Sequence, residues 1–204
     1  MPKPRLAIVV LAAVLGVASQ LVAQQEVAPK GLEVVPAAGL RNGFWAGVGL
    51  GVGYERFSTP ALTIDPGWLA RPTLNFRVGG TLNQHLRLGG ETIFWFNNEG
   101  SISQSLGGVA AIAQLYPAAT LGFFLKGGGG FGWNSYSDGY YPYQYTISYE
   151  SGFMWSVGGG WEIPVSRKIN IVPTVDYYGM TFGSRSSGDH TEEVWNFGVA
   201  VQIP

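Results

Sequence analysis

The chain has 204 residues with a formal net charge of −1, and only 12% of its residues are charged whereas 14% are aromatic. Soluble domains carry about 25% charged residues, so part of the surface is predicted not to face water. The absence of cysteine excludes disulfides, thiolate metal sites and a lipid-anchor cysteine, and the lack of a basic excess argues against nucleic-acid binding.

Residues 1–23 have the features of a cleavable signal peptide. Lys3 and Arg5 precede an apolar run at residues 6–18, and Ala23 stands before a candidate cleavage point at Gln24. The run is shorter than the roughly 20 residues that a membrane-spanning helix needs. Export with cleavage is therefore predicted in preference to an uncleaved anchor.

Residues 24–42 are polar, contain prolines and show no clear periodicity, so they are predicted to be a periplasmic linker. Residues 43–204 are predicted to form one domain of extended segments. The eight predicted strands are residues 43–55, 71–82, 86–97, 104–116, 119–133, 150–163, 168–180 and 192–203. The connections between them alternate long and short, which is typical of transmembrane barrels.

Side chains alternate between two kinds along most of these segments. In "GFWAGVGLGVGYERF" (residues 43–57), Val48, Leu50 and Val52 share one face, and Gly47, Gly49 and other glycines lie on the opposite face. In the last strand, large apolar residues likewise alternate with small or polar ones. A period of two indicates strands with one apolar face.

The charges within the strands fall on the face opposite to the apolar one. They are Arg77, Arg87, Glu91, Lys126, Glu162 and Asp176. Three are basic and three acidic, as expected for buried charges that pair with each other. The connection at residues 83–85 places Arg77 opposite Glu91, so an ion pair between these two is predicted inside a barrel.

Several large side chains also take the inward face, which suits a narrow eight-stranded barrel filled by side chains. They are Trp45, Ile93, Trp95, Phe124, Val172 and Tyr178. Other aromatic residues lie near strand ends and are predicted to form interfacial belts. These are Tyr54, Trp68, Phe94, Trp95, Phe96, Trp133, Phe153, Trp155 and Trp195 at the outer rim, and Phe44, Tyr116 and Trp161 at the inner rim.

Residues 43–204 resemble the small eight-stranded outer-membrane barrels of Gram-negative bacteria, the group of outer membrane protein X, the membrane domain of outer membrane protein A and the opacity-type proteins. The resemblance is carried by the segment at residues 43–57, by the strand rhythm and by "VWNFGVAVQIP" (residues 194–204). It implies an all-β, eight-stranded antiparallel up-and-down transmembrane β-barrel. Members usually end on an aromatic residue, whereas this chain ends on Ile203 and Pro204.

The resemblance also implies location in the outer membrane with both termini in the periplasm. The implied partners are outer-membrane lipids, lipopolysaccharide and the barrel-assembly machinery. A monomer without a cofactor is expected, and the glycine-rich segments are not followed by the helix that a dinucleotide site needs.

Three functions remain open. The first is a membrane-structural and surface-contact role without catalysis, carried by a loop with the tyrosines Tyr136, Tyr140, Tyr141, Tyr143, Tyr145 and Tyr149. Tyrosines offer large contact area at low entropy cost, although the loop could equally be an extended hairpin. The second is a channel for small solutes or hydrophobic molecules.

The third function is a lipid A-modifying hydrolase of the outer leaflet, for which His190 is the candidate base. Asp189, Glu192, Ser186 and Ser187 lie near it in sequence. The segment reads as a mobile loop, which would not hold a base in register with a nucleophile. His85 is expected to be a solvated turn residue. A surface calcium site would use Asp138, Asp189, Glu192 or Glu193, but their spacing is irregular, so no metal site is expected.

Overall fold

The computed structural model describes residues 41–59, 67–139, 145–184 and 188–203. The predicted signal peptide and the predicted linker up to residue 40 lie outside the described residues. Within the described ranges, no helix is long and apolar enough to cross a membrane. The strands are β1 (Gly43–Ser58), β2 (Leu69–Asn83), β3 (Leu86–Glu99), β4 (Ile102–Leu115), β5 (Phe123–Asp138), β6 (Tyr145–Trp161), β7 (Ile163–Ser166), β8 (Ile169–Ser184) and β9 (Gly188–Ile203).

The strands form one antiparallel sheet that closes on itself. Each of β1 to β5 pairs with the next strand, β6 pairs with β8, β8 pairs with β9, and β9 pairs back with β1. The short strand β7 continues β6 beyond Glu162 and pairs with the same neighbour, β8. Because β6 and β7 together occupy one strand position in the barrel, the nine described segments form eight strands around it. The predicted eight-stranded barrel is therefore confirmed.

The two ends of the barrel differ in what they carry. Ala46 pairs with Ile203, so both ends of the described chain lie at the same end of the barrel. This end, the turn end, also carries the connections 84–85, 116–122 and 167–168. The opposite end, the loop end, carries the connections 59–68, 100–101, 139–144 and 185–187.

Several predicted strand boundaries are wrong, mostly at the loop end. Strand β6 begins at Tyr145 and β9 at Gly188, so both reach into predicted loops, and the connection predicted at residues 98–103 shrinks to 100–101. A backbone ladder continues wherever partners remain in register, and polar side chains do not end it. The strict alternation of long and short connections is therefore not retained. At the turn end, the connection predicted at residues 117–118 spans 116–122 instead.

The alternation of side chains matches the two walls of the barrel. In β1, Leu50 is 68% exposed on the outer wall, whereas Trp45 is completely buried inside. Glycines alternate with the apolar residues because the lumen of an eight-stranded barrel has little space. Gly79 and Gly89, which face each other across β2 and β3, leave room for the Trp45 indole, since a Cβ at either glycine would lie within 3 Å of that ring.

The lumen is filled in layers whose order follows from positions along the strands. All six large inward residues predicted from parity are buried. From the turn end, a polar layer around Glu162 is followed by charges at mid-height. An apolar layer then lies closer to the loop end. Its main side chains are Ile93, Trp95, Leu106, Met154, Met180, Phe182 and Val194.

Aromatic side chains contact each other across strands on the outer wall near the loop end. Trp155, Tyr177 and Trp195 form a ladder across β6, β8 and β9, with ring centroids 5.1 Å and 4.9 Å apart. Tyr54 lies opposite Trp195 on β1. We call these four residues the aromatic belt. The prediction of interfacial positions is wrong for Trp95 and Tyr116. Both are buried in the lumen because their positions have inward parity.

Candidate functional site

The centre of the lumen holds four alternating charges. Arg77 donates to Glu91, as predicted from the register, and to Asp176 at 2.5 Å. Lys126 contacts the same two carboxylates, Glu91 at 2.5 Å and Asp176 at 2.9 Å. Because each charge has two opposite neighbours and all four are buried, none is left uncompensated in the low-dielectric interior.

A second cluster lies near the turn end around the carboxylate of Glu162. Arg87 and Arg41 form salt bridges with it, the latter at 3.2 Å. The hydroxyl of Tyr116 and the amide of Gln202 also donate to it, at 2.8 Å and 2.7 Å. Glu162 can accept from all of these donors because it lies at the interruption between β6 and β7. Its own backbone N–H donates to the carbonyl of Gly122.

The sequence-based prediction did not place Arg41 in the lumen, because it assigned this residue to the linker at residues 24–42. Its guanidinium donates to the carbonyls of Ala119 at 2.9 Å and Leu121 at 2.6 Å, and it lies 3.7 Å from the ring centroid of Tyr116. Its backbone is held by reciprocal hydrogen bonds with the side chain of Gln84. In the sequence, Arg41 is a single basic residue just before the first strand. It lies outside the alternating segment, so periodicity could not assign it to the lumen.

The structure thus brings all six predicted charges into the lumen, as two clusters. Arg77, Glu91, Lys126 and Asp176 form the central cluster, and Arg87 and Glu162 belong to the turn-end cluster. Chemically, these clusters fill and cross-link the barrel. The four central charges balance each other, whereas Arg41 and Arg87 share the carboxylate of Glu162, and Arg41 also donates to backbone carbonyls.

The loop end of the lumen contains a different kind of group. Glu55 and Glu192 are both buried and point inward. Glu192 accepts a hydrogen bond from the amide of Asn134, which in turn accepts from Gln104 at 3.4 Å. The sequence prediction did not assign Glu55 a role and placed Glu192 at the surface. Inward parity at both positions was the available signal.

His190 occupies a different environment from the one predicted. It lies on β9, buried between the rings of Phe57 and Phe182, and its Nε2 is 3.1 Å from a carboxylate oxygen of Glu150. The predicted partner Asp189 points outward, because neighbouring strand residues face opposite walls. Ser186 and Ser187 lie outside the described residues. The interpretation of His190 as part of a mobile loop is therefore wrong.

The remaining polar residues of interest are dispersed. His85 is exposed, and its Nδ1 is 2.8 Å from the carbonyl of Tyr116. Of the candidate calcium ligands, Asp138 accepts from the N–H of Gly139 and Glu192 points into the lumen, while Glu193 lies on the outer face. Within the described residues, no group of three or more His, Cys, Asp or Glu side chains could hold a metal ion.

The six tyrosines do not form one described surface. Tyr136 and Tyr149 lie on adjacent strands, but Tyr136 has inward parity whereas Tyr149 is 65% exposed on the outer wall. Tyr140, Tyr141 and Tyr143 lie outside the described residues, as does the side chain of Tyr145. The flanking strands extend as a hairpin, which was one of the two predicted alternatives.

No protein-family model and no curated protein matches the sequence. Among solved structures, Neisserial surface protein A matches with a TM-score of 0.52 and 14% identity, covering 78% of this chain and 96% of that chain. Ail, the attachment invasion locus protein of Yersinia pestis, matches with a TM-score of 0.50 and 13% identity, covering 79% of this chain and 99% of that chain. The chain therefore has the fold of the small eight-stranded barrels that its sequence resembles.

Proposed function

We propose that the chain is a monomeric, non-enzymatic protein of the bacterial outer membrane, in which the barrel is an anchor and the loop end makes contacts outside the cell. The outer wall supports membrane insertion. Leu50, Phe131 and Phe153 are between 59% and 76% exposed, an arrangement that water disfavours and hydrocarbon accepts. The aromatic belt also supports insertion, because aromatic side chains anchor barrels of this kind at the membrane interface.

The observation that carries the proposal is the filled lumen. The two charge clusters and the apolar layer occupy successive heights, and the side chains at their centres are almost completely buried. An eight-stranded barrel has an interior just wide enough for side chains to fill, so this packing of the described residues favours an anchor, and a passage function would require the clusters to separate. Function is therefore assigned to the connections at the loop end.

The position of His190 supports a non-enzymatic role. A lipid A-modifying base would need to reach a lipid on the outer wall, whereas this imidazole faces the lumen between two phenyl rings. Its carboxylate neighbour Glu150 lies on the inward face of β6. We expect purified protein not to deacylate lipopolysaccharide.

Protease treatment of intact cells tests the orientation. We expect chymotrypsin to cut in the connection 139–144, which contains Tyr140 and Tyr143, because that connection belongs to the loop end. Trypsin provides the matched control at the turn end, where Arg167 and Lys168 form the turn between β7 and β8. We expect cleavage there only after the outer membrane has been permeabilised. Cleavage at Arg167 or Lys168 in intact cells would contradict the proposed orientation.

Planar-bilayer recording tests the filled lumen against the channel alternative. We expect no steady ion conductance from the purified protein, because Lys126 and Glu91 are engaged in the central cluster. Reproducible conductance that changes when Lys126 or Glu91 is replaced, and not when the exposed Glu99 is replaced, would favour a channel instead.

A further inference from the structure

Glu55 and Glu192 lie on the loop-end side of the aromatic belt, which the proposed function puts at the membrane interface, so on that proposal both lie outside the membrane. Glu55 directly follows the belt residue Tyr54, and Glu192 precedes the belt residue Trp195 by three positions. Glu192 pairs with Phe57, so Glu55 and Glu192 are diagonal neighbours on the inner wall. Side chains in this relation are within reach of each other.

These two carboxyls differ from the other buried acids of the barrel. Glu91, Asp176 and Glu162 each form salt bridges with basic side chains. By contrast, no salt bridge among the described residues involves Glu55 or Glu192, which are only 6% and 0% exposed. Oε1 of Glu55 and Oε2 of Glu192 also have no hydrogen-bond partner, which is true of one oxygen of Glu91 as well, but Glu91 has two cations beside it. An ionised carboxylate at Glu55 or Glu192 lacks both water and a counter-charge, which costs several kcal/mol.

Within the described part of the chain, the basic side chains near the pair have other partners. Arg71, on β2, is engaged by Asn97 at 2.6 Å and by Glu99. The imidazole of His190 is directed to Glu150. Other inward side chains of the described strands near the pair include Phe57 of β1, Leu69 of β2, which pairs with Glu55, Trp95 of β3, Gln104 of β4, Asn134 and Tyr136 of β5, Phe182 of β8 and Val194 of β9. The apolar layer separates the pair from Arg77 and Lys126.

We propose that Glu55 and Glu192 form a proton-binding site at the loop end of the lumen, occupied in neutral medium, whose deprotonation loosens the ends of β1 and β9. A proton suits this site because both side chains are enclosed and because the described residues contain no group of three or more His, Cys, Asp or Glu side chains that could hold a metal ion. Once both carboxyls are ionised, they repel each other, and Glu150 adds a third negative charge nearby. The site goes beyond the proposed function, since it concerns the response of the barrel to pH.

The direction of the pH effect follows from linkage. Burial raises the pKa of Glu192 to about 8, and the nearby charge of Glu55 adds to the rise. Burial also raises the pKa of Glu55 to about 7. The unfolded chain releases both protons near the ordinary value of about 4.3. Between that pH and about 8 the folded state binds more protons, so stability falls as pH rises and levels off above about 8.

Urea unfolding between pH 5 and pH 9 tests this proposal in the intact protein in lipid vesicles. We expect the unfolding equilibrium constant of the wild type to rise by up to about tenfold per pH unit for each proton released. Glu192→Gln keeps the shape of the protonated acid, so it is expected to flatten the dependence and to be at least as stable as the wild type at pH 8. Glu99→Gln, at the exposed rim, is the matched control and should retain the wild-type dependence.

Infrared spectroscopy gives a direct readout that does not depend on variant folding. At pH 6 the wild type should show the carbonyl band of a protonated carboxylic acid, which disappears as pH is raised to 9. Glu192→Gln should lose part of this band, and Glu99→Gln should keep all of it. Absence of the band in the wild type at pH 6, or an unchanged pH dependence in the double variant Glu55→Gln/Glu192→Gln, would overturn the proposal.

Discussion

Replacing Glu91 with alanine is expected to lower the free energy of unfolding by about 3–5 kcal/mol, because the change leaves two buried cations with one carboxylate. Arg77 and Lys126 both contact Glu91 and are both almost fully enclosed. After the replacement, only Asp176 remains to neutralise them. Urea unfolding of the folded barrel in lipid vesicles, followed by tryptophan fluorescence, measures the loss.

The matched control is Glu99→Ala. Glu99 also pairs with an arginine, Arg71, but its side chain is 65% exposed at the rim. Exposed pairs contribute about 0–1 kcal/mol, so this variant should be close to the wild type. The double variant Arg77→Met/Glu91→Leu removes one charge of each sign and leaves the pair of Lys126 and Asp176, so it should recover much of the loss. Equal losses for Glu91→Ala and Glu99→Ala would contradict the account of the central cluster.

Replacing Gly130 with alanine is expected to destabilise the barrel by about 1–3 kcal/mol, the usual range for overpacking. The new Cβ would lie 2.0 Å from the carbonyl oxygen of Val109 and 2.7 Å from the Cα of Ala110. Both are backbone atoms of β4, so no rotamer change can relieve the contact, and β4 and β5 would have to separate. The fraction of protein that folds in vesicles and its urea midpoint measure the effect.

Gly127→Ala is the control for this substitution in the same glycine run. Its Cβ would come no closer than 3.9 Å to any atom, the nearest being the carbonyl oxygen of Ser156. Alanine restricts the unfolded chain more than glycine does, so this variant should be unchanged or stabilised by up to about 1 kcal/mol. If Gly130→Ala were as stable as Gly127→Ala, the close approach of β4 and β5 would be refuted.

The barrel was predictable because its signal is local and repeated. Alternation with a period of two assigns a wall to each residue independently of long-range contacts. The pairing of Arg77 with Glu91 was predictable for the same reason, since it depends on one turn. The turn is one residue shorter than predicted, but an irregularity between Thr81 and Asn83 compensates and preserves the register.

Features that depend on distant strands could not be predicted. The strand break at Glu162 is stabilised by donors from four other parts of the chain, and no local pattern marks it. Arg41 precedes the first periodic residue and gains its role only when the turn end has closed. His190 reads as a loop residue because its neighbours are small and polar, while the rings that enclose it come from β1 and β8.

The contacts of Arg41 have a consequence for how the protein matures. Arg41, which lies just before β1, contacts Glu162 and the 116–122 connection, which belong to later parts of the sequence. An intermediate with a slipped or missing hairpin would leave both Arg87 and Glu162 without full neutralisation. The turn end therefore links the segment before β1 to later parts of the chain, and Arg41 can make all of these contacts only when those parts are in their final register.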